Sequence, residues 1–348
     1  MKKYLFITIS AALALTACTN ETTEYVGDTQ AREIAFAPLA QKATRAADTK
    51  QYAIDGTDFP TDLNMYVAAY QVEPTSGTPA SGSNYFAGTQ FIYGYQAGAA
   101  ASGTTWGGVT ARYWPLAACY INFLAYANVT GTAAFDATNY ASGATITQTD
   151  NHETQTDLMY ARGNGEVTIA SNALTIPTNV SMVFKHAQAW MDFYVKANST
   201  VETAITVNSI TLTGAKYSGT YTITHTNYNS RSSQSVAGAW TSVGSQGNYP
   251  VPGWSATALT TSLVHVGNGL LIVPDDNNAT ADWTSFTINY TIDGKTYDYT
   301  YTPTTAAAQS VDQAKHYIFN ITFTLHEIYI AATVVDWADQ TATNVPIG

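Results

Sequence analysis

Six histidines, two cysteines and a few acidic clusters are the residues whose types could support chemistry in this 348-residue chain. Their spacing supports little of it. His152, His186, His225, His265, His316 and His326 are scattered, and none stands beside another His or a Cys at metal-ligand spacing. His186 falls inside the strand-like run Phe184-Lys185-His186, where a structural role is the better reading. No Gly-x-Ser-x-Gly turn presents a nucleophilic serine, and no glycine-rich loop carries a Lys that could cradle phosphate. Asp275-Asp276-Asn277-Asn278 offers oxygens without the alternating spacing of a Ca²⁺ loop, so it reads as a solvated turn. Asp157, Asp192 and Asp336 lie beside strands, with no partner visible as an acid/base couple. Cys119, among apolar residues, reads as a buried small hydrophobe. The expectation is no catalytic residue, no metal and no cofactor.

The chemistry that the spacing does support is covalent processing near the N-terminus. Met1-Lys2-Lys3 is a positive start, and Tyr4 to Leu15 is an apolar run too short to span a bilayer. It ends in Leu15-Thr16-Ala17-Cys18, the pattern of a bacterial lipobox, in which the Cys thiol is acylated and becomes the new N-terminus. A polar tether, Thr19–Asp28, follows. Ile34 and Phe36 then alternate with small Ala in a short strand, Ile34–Leu39, that Pro38 limits. Arg45, flanked by Thr44 and Ala46 in a polar stretch, is an accessible site for an Arg-specific protease.

Composition says what must position these groups. Lys and Arg total 14 and Asp and Glu 25, a formal charge of −11, and only 11% of residues are charged. Clustered Lys/Arg for nucleic acid or an anionic membrane surface is missing. The 24 Tyr and abundant Thr, Val, Ile and Gly argue against disorder and against long helices. An all-β, weakly charged, extracytoplasmic protein of about two domains remains. Strand signals lie near 64–72, 90–95, 120–128, 144–148 and 158–161, then 182–197, 204–212, 217–225 and 317–324. Phe286–Tyr301 reads as a hairpin around Asp293-Gly294, since both turn positions of type I′ need positive φ. Segments 74–83, 98–108 and 227–252 read as loops, and the weakly strand-like 166–179 places a domain boundary near residue 172. The seven Trp are spread along the chain, which suits core positions better than a glycan-stacking platform. Unusually, the chain ends on β-prone and apolar residues, Tyr329–Val335 and Val345-Pro346-Ile347-Gly348.

Several segments, in order, resemble the fimbrillin-like family of Bacteroidota, the subunits of type V pili. They are the lipobox at Cys18, Ile34-Ala35-Phe36 followed by Thr44-Arg45-Ala46, and Tyr113-Trp114-Pro115 with Asn122-Phe123-Leu124-Ala125-Tyr126. Thr156-Asp157-Leu158-Met159-Tyr160-Ala161, Val183-Phe184-Lys185-His186-Ala187, Tyr317–Phe323 and Val335-Asp336-Trp337 complete the set.

The resemblance implies two tandem β-sandwich domains of transthyretin-like type, 46–172 and 173–348, behind a lipoprotein signal (1–18) and a prosegment (19–45). It implies an outer-membrane lipoprotein precursor that an Arg-specific protease cuts between Arg45 and Ala46, removing the strand that holds Ile34 and Phe36. A C-terminal donor strand (326–348) of another subunit then fills the opened groove, with Ile328, Ile330, Val334, Val335, Val345 and Ile347 as its apolar residues. The expected partners are other copies and related subunits in a surface fimbrium, and a host or bacterial receptor. The alternatives are a tip adhesin or surface lipoprotein that binds glycans or host proteins, and a basal anchor that keeps its lipid because Arg45 is not cut. Cutting after Arg45 would remove five of the 14 basic and four of the 25 acidic residues, moving the charge from −11 to −12. Sparse charge keeps like-charge repulsion small between stacked copies.

Overall fold

The computed structural model describes residues 31–40, 59–72, 82–96, 98–100, 104–149, 153, 155–171, 173–199, 201, 203–275, 281–324, 327–337 and 343–344. Among these the only helical element is a 3₁₀ turn, Ala306–Gln309; the protein is otherwise built of strands. No described helix is long and apolar enough to cross a membrane.

The first layer is a sheet that returns on itself. Met159–Ala170 pairs with Val180–His186, which pairs with Ala35–Ala40, and the wall continues through Trp106–Gly108, Gly82–Tyr93, Met65–Val72 and Cys119–Ala127. Cys119–Ala127 then pairs back along Met159–Ala170, from Cys119 opposite Val167 to Ala127 opposite Met159. Closing a sheet in this way removes exposed edges. Period-2 alternation decides what points inward. Met65, Val67, Phe91, Ile121, Phe123, Val180, Met182 and Phe184 fill the inside of this wall.

The outer face of the same wall is also apolar. Tyr70, Leu124, Tyr126 and Tyr160 pack against a four-stranded sheet of Ala133–Phe135, Gly143–Gln148, Gly219–Thr226 and Ser235–Val243. A separate sandwich encloses the third core. One sheet runs Val264–Ile272, Ala189–Ala197, Lys315–Phe323, Ile328–Asp336 and Thr343–Asn344. The facing sheet runs Gly247–Pro250, Ile205–Ala215, Ser285–Ile292 and Lys295–Tyr301, with Thr257–Ala258 beside it. Phe193, Phe286 and Phe319 stack between the two sheets, with ring centroids 5.3–5.4 Å apart.

The hairpin at Asp293-Gly294 is present, with φ of 50° and 70°. Two expected loops and one weakly strand-like region are corrected. Segment 227–252 contains Ser235–Val243, where pairing with Gly219–Thr226 buries Val236 and Trp240, and Gly247–Pro250, which pairs with Ile205–Ala215. Segment 98–108 carries Ala99–Ala100 and Trp106–Gly108. The supposedly weak 166–179 region holds the end of Met159–Ala170 and the strand Ala173–Thr175. Nor do the sheets divide the chain near residue 172. Val180–His186 belongs to the closed wall, Gly219–Thr226 pairs with Gly143–Gln148, and the chain crosses to the last sandwich at Ala187-Gln188.

Candidate functional site

The wall has one bridging strand that comes from far away in sequence, Ala35–Ala40. It runs parallel to Val180–His186, from Phe36 opposite Val180 to Ala40 opposite Phe184. On its other side Ala35 and Phe36 pair with Gly107 and Trp106. Pro38 has no N–H to offer a ladder, and it sits past the point where the Trp106–Gly108 pairing ends. Ile34, Phe36 and Ala40 turn into the core, while Leu39 is 45% exposed. Phe36 is fully buried, edge-on to Phe91 at 4.7 Å and to Phe123 at 5.1 Å. Edge-to-face rings of this kind add to the roughly 1.5–3 kcal/mol that burying a phenyl ring contributes. Just upstream, Ile34 N donates to Arg112 O at 2.7 Å, Trp114 N donates to Arg32 O at 2.9 Å, and Arg32 Nη1 donates to Ile176 O at 3.0 Å. Burial raises the Glu33 carboxyl, offset in part by hydrogen bonds from the Gly98 and Gly108 backbone.

The other chain end is held differently. Ile328–Asp336 pairs antiparallel with Lys315–Phe323 along its whole length, and Thr333 and Val334 also pair with Asn344 and Thr343. Ala332 and Val335 are buried, and Ile328 and Ile330 pack against the third core. Trp337 is fully buried and lies flat on His186, with centroids 3.7 Å apart and planes 2° from parallel.

Below that stack is a buried pair that sequence reading missed. Asp157 Oδ2 lies 2.8 Å from His186 Nδ1, and both side chains are fully inaccessible. A second stack, Trp190 on His316 at 3.7 Å, stands beside it, with the two indoles 5.8 Å apart. Asp192 accepts from His265 and lies 3.5 Å from His316 Nε2. Burial alone would raise the Asp192 carboxyl; the two imidazoles outweigh it and hold Asp192 below the usual carboxylate range. Asp336 pairs with Lys315, and Asp275 with Lys216. Three aspartates read as unpaired therefore all have cationic or imidazole partners, supplied by strands 21 or more residues away, where no local pattern reveals them. The Asp157–His186 pair has aromatic cover instead of a cleft, so it joins elements instead of meeting a substrate. Cys119 is buried, and burial pushes its thiol up to about 11, which keeps it protonated and inert. Among the described residues no three His, Cys, Asp or Glu converge to hold a metal ion.

Cys18, Arg45, Ala46, Val345 and Ile347 lie outside the described residues. Of the expected site residues, the structure brings Ile34 and Phe36 into the first core, and Ile328, Ile330, Val334 and Val335 into the last sheet of the sandwich.

An all-β protein whose closed wall includes a strand from the N-terminal segment is the class that this geometry defines. Residues 44–337 match the fimbrillin-like family profile, and the chain belongs to that family. It is thus related to fimbrial subunits of the cell surface. No curated protein sequence matches it. Among solved structures, a proposed cell adhesion protein from Bacteroides uniformis is similar over 88% of this chain and 99% of its own, with 15% identity and a TM-score of 0.47. A fimbrial protein from Bacteroides vulgatus is similar over 87% and 99%, with 15% identity and a TM-score of 0.43. The tip fimbrial protein Mfa3 from Porphyromonas gingivalis, with C-terminal truncation, gives 88% and 100%, 13% identity and 0.40. The family assignment rests on the sequence match and takes nothing from these likenesses.

Proposed function

We propose that the protein is a structural pilus subunit that assembles by exchanging strands. It is exported and lipidated at Cys18, cut by an Arg-specific protease between Arg45 and Ala46, and released from its prosegment. The observation that carries this reading is the position of Ala35–Ala40 between Val180–His186 and Trp106–Gly108, with Phe36 at the centre of the first core. Taking that strand out would leave unpaired backbone groups on both sides and an apolar slot lined by Phe91, Phe123, Val180 and Met182, which is a template for an added strand. Head-to-tail addition does not close on itself, so it builds a fibre.

The donor comes from the C-terminus of another copy. If Ile328–Asp336 itself donated, it would have to leave its own ladder and uncover Val335 and Trp337. The shortest donor that keeps these anchored is the stretch after Trp337, which contains Val345 and Ile347. Two variants test the reading. Arg45→Ala should give an uncut, lipidated precursor by N-terminal sequencing and no filaments by electron microscopy. A chain ending at Trp337 should fold, be cut and remain monomeric. Normal filaments from either variant would sink the proposal.

A further inference from the structure

The closed wall is split at one place, and the split is lined with cations. Met159–Ala170 and Val180–His186 pair only where Met159 meets His186 and Tyr160 meets Lys185. Beyond those pairs the two strands part, one following Cys119–Ala127 and the other Ala35–Ala40. A cleft of about 560 Å³ opens there, lined by Arg162, Asn164, Ser181, Val183, Lys185 and Gln234 among others. That volume suits a small ligand.

The charge in this cleft is unusual for the molecule. Only nine of the chain's Lys and Arg follow position 45, yet two of them converge here, and no carboxylate is among the described residues that line the cleft. Because Tyr160 faces Lys185, Arg162 stands one diagonal step from Lys185 on the same face. Like charges so placed repel and weaken a sheet. Neither cation enters any ion pair among the described residues. Glu166, further along the strand, is already matched by Arg231. Gln234 is held in place: Arg162 Nη1 donates to Gln234 Oε1 at 3.3 Å, and Gln234 Nε2 donates to Ser230 O. Val183, 49% exposed, gives the cleft an apolar surface.

We infer that this cleft binds an acidic saccharide, with a sugar carboxylate between Arg162 and Lys185. Hydroxyls meet Asn164, Ser181 and Gln234, and the face of a sugar ring lies on Val183. The lining side chains point away from the core that Phe36 fills, while Ser181, Val183 and Lys185 stand on the strand that Ala35–Ala40 pairs with. A mixture of fixed amides, hydroxyls and one apolar contact around a cationic pair suits a polyhydroxylated carboxylate better than a peptide strand, which needs an alternating apolar slot.

The test is calorimetry of the full-length protein with galacturonic acid tetrasaccharide and, in parallel, the neutral galactose tetrasaccharide. The acidic probe should bind saturably and more weakly as salt rises, with the neutral probe about tenfold weaker or worse. Lys185→Gln should weaken the acidic probe by about tenfold, and Arg162→Gln with Lys185→Gln should abolish binding. The thermal midpoint of ligand-free Lys185→Gln should stay the same or rise, because repulsion is relieved. No binding of the acidic probe, equal binding of the neutral one, or a fall in that midpoint would overturn the assignment. Self-association that Lys185→Gln abolishes would also overturn it, by giving the cleft to a second copy of the chain.

Discussion

The first strand among the described residues, Ala35–Ala40, and the last long one, Ile328–Asp336, both lie in a buried ladder, yet they are held by opposite means. Ala35–Ala40 is a long-range strand: it lies parallel to residues some 144 positions later and is stapled by one aromatic side chain, Phe36. Ile328–Asp336 is a local strand, joined to Lys315–Phe323 by a tight connection in which Thr324 N donates to Glu327 O at 2.8 Å. It is then locked by Trp337 over the Asp157–His186 pair. A long-range strand can leave while every other strand keeps its neighbours in sequence. Departure of Ala35–Ala40 unpairs Val180–His186 and Trp106–Gly108, whereas departure of Ile328–Asp336 unpairs Lys315–Phe323 and uncovers Val335 and Trp337 as well. On the proposed reading the strand with Phe36 is the removable one, and residues 328–337 are the anchor.

The largest test of that contrast is a pair of truncations to alanine. Removing a fully buried large aromatic costs about 3–5 kcal/mol. Phe36→Ala should therefore lower the stability of the uncut chain by that amount in urea unfolding. After cleavage behind residue 45 the same substitution should have no effect, because the strand that carries it has gone. Trp337→Ala should cost a similar amount in both forms. If the Phe36 effect persisted after the cut, the strand would have stayed in its groove and the contrast would fail.

Much of this was legible in sequence because it is local. Alternation of Ile34 and Phe36 with Ala marked the N-terminal strand to within one residue of Ala35–Ala40. Asp293-Gly294 marked its hairpin because only a few residue types tolerate two positive φ angles in a row. The strand signal at 317–324 falls on Lys315–Phe323, whose Phe319, Ile321 and Phe323 form the buried face. What was not legible depends on partners. Ser235–Val243 is too rich in Ser, Gly and Ala to look like a strand by itself; Gly219–Thr226 makes it one and buries Trp240. Asp157 lies just before Met159–Ala170 and His186 ends Val180–His186, and the Trp337 ring stacked on His186 arrives from much later in the chain. Cys18 and Arg45, expected from the sequence as processing sites, lie outside the described residues.

Acid probes the layer behind the wall and should leave the contrast intact. His225 lies in Gly219–Thr226, and its Nδ1–H donates to Ala141 O at 2.9 Å. Burial, ahead of a raising effect from that hydrogen bond and a lowering one from Arg162, brings its pKa down to about 4. The unfolded value is near 6.5, so the unfolded chain binds the proton more readily. The associated stability is complete above about pH 6.5 and is lost as pH falls toward 4, roughly 3 kcal/mol in all. His225→Gln should flatten the stability profile between those limits, measured by urea midpoints at successive pH values. The gap between Phe36→Ala and Trp337→Ala in the uncut chain should not change across that range.

The smallest effect belongs to the surface of the C-terminal strand. Lys315 pairs with Asp336 across the ladder, where the two side chains are 34% and 52% exposed. Water screens such a pair, and the ordering of a long Lys side chain opposes it, so exposed pairs contribute about 0.2–1 kcal/mol. Lys315→Ala should shift the unfolding midpoint by no more than that, and 0.5 M salt should erase most of the shift. A loss comparable to Trp337→Ala would mean that charge, not the indole stacked on His186, holds the last strand. The anchor would then lie on the surface, where salt and pH could release it, and residues 328–336 would return as candidates for donation.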